Sequence, residues 1–166
     1  LGIPFSDPLA DGATIQAAAQ QALHNGITPA ECLAQAATLR CRGVEVPLVM
    51  MGYYNPILQM GVERFAVRAG EAGVDGLIVP DLPPEEAGAL RQALHAQGLD
   101  LIFLLPPTAD GERLQQVADL SSGFLYLVSL TGVTGVREAL PDGLEAFATR
   151  VRAVARLPLA VGFGIS

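Results

Sequence analysis

An α/β fold built on a parallel sheet is what this sequence predicts, and three observations predict it. Apolar, strand-length runs recur along the chain at residues 47–51, 74–79, 99–105, 123–128 and 157–161. These runs are continuous rather than alternating, the pattern of parallel strands covered on both faces. Helical patterns with readable ends lie between them. Strand starts near residues 47, 75, 100, 123 and 157 keep the rhythm of βα units, with no reversal or insertion to mark a second domain. The tail of one further strand at residues 1–3 makes five complete strands and a part. A (β/α)8 TIM barrel takes eight such units over about 250 residues. The 166 residues therefore read as an incomplete barrel of about five to six βα units, a single partial-barrel domain over residues 1–166 that begins at one strand exit and stops at another. A doubly wound sheet is the alternative, and no GxGxxG follows the first strand to support it.

Each element has a local reason. The stretch from Gly2 to Gly12 is broken by Pro4, Pro8 and Gly12, which forbids a regular helix and favours an extended or turning backbone. It is a hydrophobic loop, with Phe5 and Leu9 beside two acids, Asp7 and Asp11. Such a loop either lines a site or forms a surface turn whose aspartates cap the next helix. Thr28-Pro29-Ala30-Glu31 is a capping box with proline at the first helical position, and Gly43 closes that helix. Residues 63–72 form a short amphipathic segment ending at Gly73. Residues 84–97 begin with Glu85-Glu86 and stop at Gly98. Residues 110–120 form a shorter helix, and residues 142–156 open on an Asp142…Glu145 box.

Composition narrows the chemistry. Hydrophobic residues are 51% and charged residues 16%, so much of the chain is buried. No apolar run reaches the roughly 18–20 residues that span a bilayer, and the first residues lack a basic-then-apolar signal, so a cytoplasmic location is expected. The net charge is −7 with no basic patch, which argues against nucleic acid or an anionic membrane as partner. All basic residues other than the two histidines are arginine. Without lysine there is no side-chain amine for a Schiff base. Cys32 and Cys41 lie in one helical segment without a CxxC or Cys/His cluster, so buried free thiols are expected and a metal site is not.

In a barrel the reactive groups gather where strands end. Those exits read PFSDPLADG, MGYYNPI, VPDLPPEE, LLPPTAD, LVSLTGVTG and GFGIS. Asp7, Asp11, Tyr53, Tyr54, Asn55, Asp81, Thr108, residues 126–135 and residues 163–166 would share one rim. Gly132-Val133-Thr134-Gly135 and Gly162-Phe163-Gly164 can each turn backbone N–H groups toward an anion, as phosphate sites in this fold do. An acid–base site here must use carboxylates and a tyrosine phenol. His24 and His95 fall toward the C-terminal ends of helical segments, where histidine commonly satisfies a helix end. Asp110 and Asp142 read as N-caps, and Glu112 and Asp119 as solvated.

Taken together, Pro4-Phe5-Ser6-Asp7-Pro8-Leu9-Ala10-Asp11-Gly12, Tyr53-Tyr54-Asn55-Pro56, Pro80-Asp81-Leu82-Pro83, Gly132-Val133-Thr134-Gly135 and Gly162-Phe163-Gly164-Ile165-Ser166 resemble the α subunit of tryptophan synthase, in that family's order along the whole chain. The resemblance implies a lyase that splits indole-3-glycerol phosphate into indole and glyceraldehyde 3-phosphate by retro-aldol cleavage, with no metal or cofactor of its own. Asp11 matches the catalytic aspartate that accepts the indole N–H proton. Tyr126 matches a tyrosine beside the substrate. Met51, Ile78 and Leu104 match positions lining the indole pocket, and Phe163 would flank the ring. Gly135 and Gly164 match phosphate-loop glycines, and the loop holding Thr134 would close over substrate. Asp7, Tyr53, Tyr54, Asn55, Pro56 and Asp81 lie on the rim that would meet a PLP-dependent β subunit in an α2β2 assembly.

The resemblance also implies departures. The family's second catalytic carboxylate is a glutamate immediately before the residue matching Leu1, so the 166 residues alone are expected to be close to inactive. The family's last strand, whose Gly-Ser exit adds phosphate ligands, lies beyond the stretch matched. Ala13 stands where proline is usual, and Leu130 where some relatives have arginine. A non-catalytic partner module and another phosphate-binding barrel isomerase are the alternatives.

Overall fold

Strand pairing sets the frame in the computed structural model, which describes residues 1–128 and 143–162. These group into two compact units, Leu1–Leu101 and Ile102–Ser166. In the first, β1 (Val49–Met51), β2 (Gly76–Ile78) and β3 (Asp100–Ile102) form a sheet in that order. β1 and β2 run parallel, with Val49 opposite Gly76, Met50 opposite Leu77 and Met51 opposite Ile78. Met50 and Leu77, paired in mid-strand, are both fully buried. The expected strand tail at the start is present. Ile3 donates to the Met51 carbonyl and Met51 to the Leu1 carbonyl, each at 2.8 Å, so this tail lies beside β1.

The second unit holds β4 (Leu104–Leu105), β5 (Leu125–Val128) and β6 (Leu159–Gly162), a parallel sheet in that order. The apolar run at 99–105, read from sequence as one strand, is divided at Phe103 between β3 and β4. Every residue from Leu101 to Leu105 is apolar, so hydropathy carries no mark of the break.

The helices are α1 (Ala13–His24), α2 (Pro29–Cys41), α3 (Tyr54–Met60), α4 (Val62–Glu71), α5 (Gly88–Ala96), α6 (Gly111–Leu120) and α7 (Leu144–Val154). A 3-10 turn, Pro84–Glu86, precedes α5, so the stretch read as one helix from residue 84 begins as a tighter turn. Thr28 caps α2 as its box requires, accepting from the Glu31 N–H at 3.3 Å. Asp110 caps α6, accepting from the Arg113 N–H at 2.8 Å. Gly43, Gly73 and Gly98, which end α2, α4 and α5, have φ of 83°, 73° and 70°, the left-handed region that stops a helix without a Cβ penalty. Helix α3 corrects an expectation. Tyr54, Asn55 and Pro56 are its first turn rather than loop, and proline is tolerated there because those N–H groups have no helical partner. The thiols divide as well. Cys32 is buried as expected, but Cys41, at the exposed end of α2, is not.

One side chain ties the entry ends of the first sheet to α2. Arg40 donates through Nε to the Gly73 carbonyl at 2.8 Å and through Nη1 to the carbonyls of Val44 and Val46 at 2.7 and 2.9 Å. Its Nη2 pairs with Asp75, whose Oδ2 also accepts the Leu48 N–H at 2.6 Å. A surface ion pair alone contributes about 0–1 kcal/mol. Here the fork also satisfies three backbone carbonyls, so Arg40→Ala should lower unfolding free energy in urea by about 2 kcal/mol. Arg40→Lys should recover less than half of that, because an ammonium cannot span the same carbonyls.

Candidate active site

The segment of residues 4–12 adopts neither helix nor strand, as its prolines require. Its acid Asp11 does not cap α1. Gly12 occupies the N-cap with no side-chain bond, which sets aside the capping role for Asp11. Instead Asp11 Oδ2 accepts from the Tyr53 hydroxyl at 3.1 Å. The same hydroxyl accepts the Ala10 N–H at 2.9 Å. Gln16 fixes the loop from the other side, its Nε2 donating to the Asp11 carbonyl at 2.8 Å. Phe5 packs on the Tyr53 ring, centroids 5.5 Å apart and tilted by 33°. Leu9, by contrast, is exposed.

Tyr53 was expected with its neighbours on the contact rim. It is instead only 4% exposed, with its hydroxyl turned to Asp11. Burial pushes its phenol above the ordinary tyrosine range. The Ala10 N–H pulls it down, and the charge and hydrogen bond of Asp11, with the charge of Asp81, add to the rise. Asp81 has a structural task of its own: its Oδ1 accepts the Tyr54 N–H at 2.9 Å. A carboxylate there satisfies an orphan donor and faces the positive end of α3. Sequence spacing gave no sign of either bond, since both join strand exits distant in the chain.

Met51 and Ile78, read as pocket-lining positions, are register partners at the ends of β1 and β2, Met51 half-buried and Ile78 buried. Asp7 and Asn55 are exposed, Tyr54 and Pro56 half-buried, and Ser6 donates to Asp7. In the second unit Leu104 and Tyr126 are likewise register partners, both half-buried. A Cβ built on Gly162 would stand 1.7 Å from the Tyr126 hydroxyl oxygen, so the phenol occupies the space a side chain would need. Thr134, Gly135, Phe163 and Gly164 lie outside the described residues, as does Asp142, and the N-cap of α7 is Gly143 rather than Asp142. Among the described residues, no group of three or more His, Cys, Asp or Glu could hold a metal ion. No described helix is long and apolar enough to cross a membrane.

Parallel βα units, with an acid–phenol pair in the loop over one strand end and a tyrosine over a glycine at another, define an α/β protein of the (β/α)8-barrel class, here incomplete. Comparison with known proteins gives the family. The model for "Tryptophan synthase alpha chain" matches residues 1–166, and the chain belongs to that family. It is 60% identical to the tryptophan synthase alpha chain of Roseiflexus sp. (strain RS-1) over all 166 residues, 64% of that relative's length. It is 57% identical to that of Dehalococcoides mccartyi, of which it covers 65%. The chain thus spans somewhat under two thirds of these relatives. A tryptophan synthase complex from Pyrococcus furiosus matches 99% of this chain and 65% of its own, with TM-score 0.89 and 40% identity. Tryptophan synthase subunit alpha from Legionella pneumophila str. Paris matches with TM-score 0.88 and 43% identity, covering 99% of this chain and 60% of its own.

Two outcomes follow from this geometry. Gly162→Ala forces Tyr126 or the end of β6 to shift and should cost about 1–3 kcal/mol in urea unfolding, the range for overpacking. Because the folded Tyr53 phenol titrates above its unfolded value of about 10, its contribution to stability is present below that pH and is lost as pH rises through the folded value. Tyr53→Phe should therefore flatten the alkaline fall in stability, measured as midpoint denaturant concentration between pH 9 and 12.

Proposed function

We propose that this chain carries the aspartate side of the acid–base site that cleaves indole-3-glycerol phosphate to indole and glyceraldehyde 3-phosphate. The observation that carries the reading is Asp11 itself. One carboxylate oxygen is held by Tyr53, while the other has no hydrogen-bond partner among the described residues. A retro-aldol cleavage needs only proton movements. A proton is added at indole C3, which makes the ring an indoleninium cation. The hydroxyl on the adjoining side-chain carbon then loses its proton, and the bond from that carbon to C3 breaks. The electron pair returns to the ring, leaving indole and an aldehyde. No water, oxidant or reductant is consumed. An anionic acceptor at the indole N–H stabilises the cation as it forms, which is the task of Asp11. Transfer at C3 and at the hydroxyl belongs to a second acid–base group, which the family resemblance assigns to a glutamate.

The remaining roles are part of the same proposal. Met51, Ile78 and Leu104 supply apolar strand ends for the indole, Tyr126 stands beside the substrate, and Phe163 flanks the ring. Gly135 and Gly164 offer N–H groups to the phosphate, and Thr134 rides on the closing loop. The contact face for a PLP-dependent β subunit comprises Asp7, Tyr54, Asn55, Pro56 and Asp81. Support for it comes from the exposure of Asp7, Asn55 and Asp81 and from a structural neighbour described as a tryptophan synthase a2b2 complex. A cytoplasmic setting and a single partial-barrel domain belong to the same reading.

A chimera tests it. This chain should replace the matching residues of the Roseiflexus sp. protein, with indole release from indole-3-glycerol phosphate as the readout. The chimera should turn over, and Asp11→Asn should lower kcat by about 10²–10⁴-fold with a smaller change in KM. Turnover unaffected by that substitution would overturn the assignment of Asp11.

A further inference from the structure

A phenol hydroxyl carries one proton, so its partners decide which way that proton points. At Tyr53 one partner is the Ala10 N–H, which can only donate. The hydroxyl oxygen accepts there, and its own proton is left for Asp11 Oδ2 at 3.1 Å. Two consecutive residues of a loop with no helix or strand of its own are thus gripped by one atom. That atom is well anchored. The tyrosine ring is 4% exposed and covered by Phe5, and the start of α3 on which it sits is pinned by Asp81.

We propose that Tyr53 is the positioning residue for Asp11: its hydroxyl fixes the Ala10 amide and Asp11 Oδ2 together, so that Oδ1 is the oxygen presented to the indole N–H. The inference rests on the reading of Asp11 given above and adds a specificity rule. The site selects rings that bear an N–H donor, and Tyr53 sharpens that choice by orienting Asp11. The raised phenol supports this wiring, because the proton that points at Asp11 stays in place across the neutral range.

Two measurements on the full chain decide it. The first is a ¹³Cζ tyrosine NMR titration, with the Tyr53 signal assigned by Tyr53→Phe. Asp11→Asn should lower the Tyr53 midpoint, since the carboxylate charge and bond raise it; an unmoved midpoint would overturn the proposal. The second compares the affinities of indole and 1-methylindole, which differ only at the donor. The unmodified chain should prefer indole, Asp11→Asn should abolish the preference, and Tyr53→Phe should reduce it about tenfold, the lower end of the worth of a hydrogen bond to a charged group, leaving 1-methylindole affinity unchanged. A merely structural tyrosine would weaken both ligands alike, and that result would overturn the positioning role. If Asp11→Asn abolishes the preference and Tyr53→Phe does not, the positioning role alone fails. If the unmodified chain shows no preference, the assignment of Asp11 fails and the positioning role with it, whatever the titration shows.

Discussion

In-register parallel pairing of β1 with β2 is the constraint on which the described site depends. Met51 opposite Ile78 puts the two strand exits level, and Gly52 continues the pairing by donating to the Ile78 carbonyl. Only with the exits level can Asp81, three residues past β2, reach the N–H of Tyr54, three residues past β1. That bond seats the first turn of α3, which in turn fixes the backbone from which the Tyr53 side chain extends. A slip of one residue would exchange the faces of Met50 and Met51, and the bonds from Asp81 and Tyr53 would both be lost. The chemistry of the opening loop is therefore set by a sheet to which that loop adds only a short paired tail.

What could be read from the sequence divides along the same line. Local signals were legible: the Thr28 box, the Asp110 cap and the glycines that end helices are each decided within a few residues, and each stands where the pattern places it. Continuous apolar runs correctly announced parallel strands. Hydropathy could not mark the break at Phe103, since every residue from Leu101 to Leu105 is apolar on both sides of it. Helix α1 carries apolar residues at helical spacing, Ile15, Ala18, Ala19 and Ala22, yet none of its residues is buried. Helix α3 carries a local signal of its own, a proline in its first turn.

The opening loop shows why site residues are harder to read than folds. Asp7 and Asp11 are equivalent as sequence, two acids among prolines. Family resemblance separated them, and so does an independent physical difference: Asp7 is exposed with a partner next to it in the chain, while Asp11 is bonded across 42 positions to a buried phenol. Tyr53 is hard to read for the complementary reason. It belongs to a run with two polar neighbours, and a tyrosine in such a run carries no mark of which way it faces. Burial decided the matter.

A chain without lysine has few ways to handle a proton at neutral pH, and it must control its carboxylates by geometry. A carboxylate alone on a mobile loop offers two equivalent oxygens and many orientations. Each of these must be frozen out when substrate binds, at a cost in entropy that weakens the bound state. Engaging one oxygen with a rigid aromatic donor removes that ambiguity before substrate arrives, which is how preorganised sites favour the transition state over the ground state. Tyrosine suits the task better than a flexible base would. Its ring has two rotatable bonds, it is locked by Phe5 and by burial, and burial keeps its proton on. The phenol, and the fold behind it, hold the Asp11 carboxylate in a single orientation.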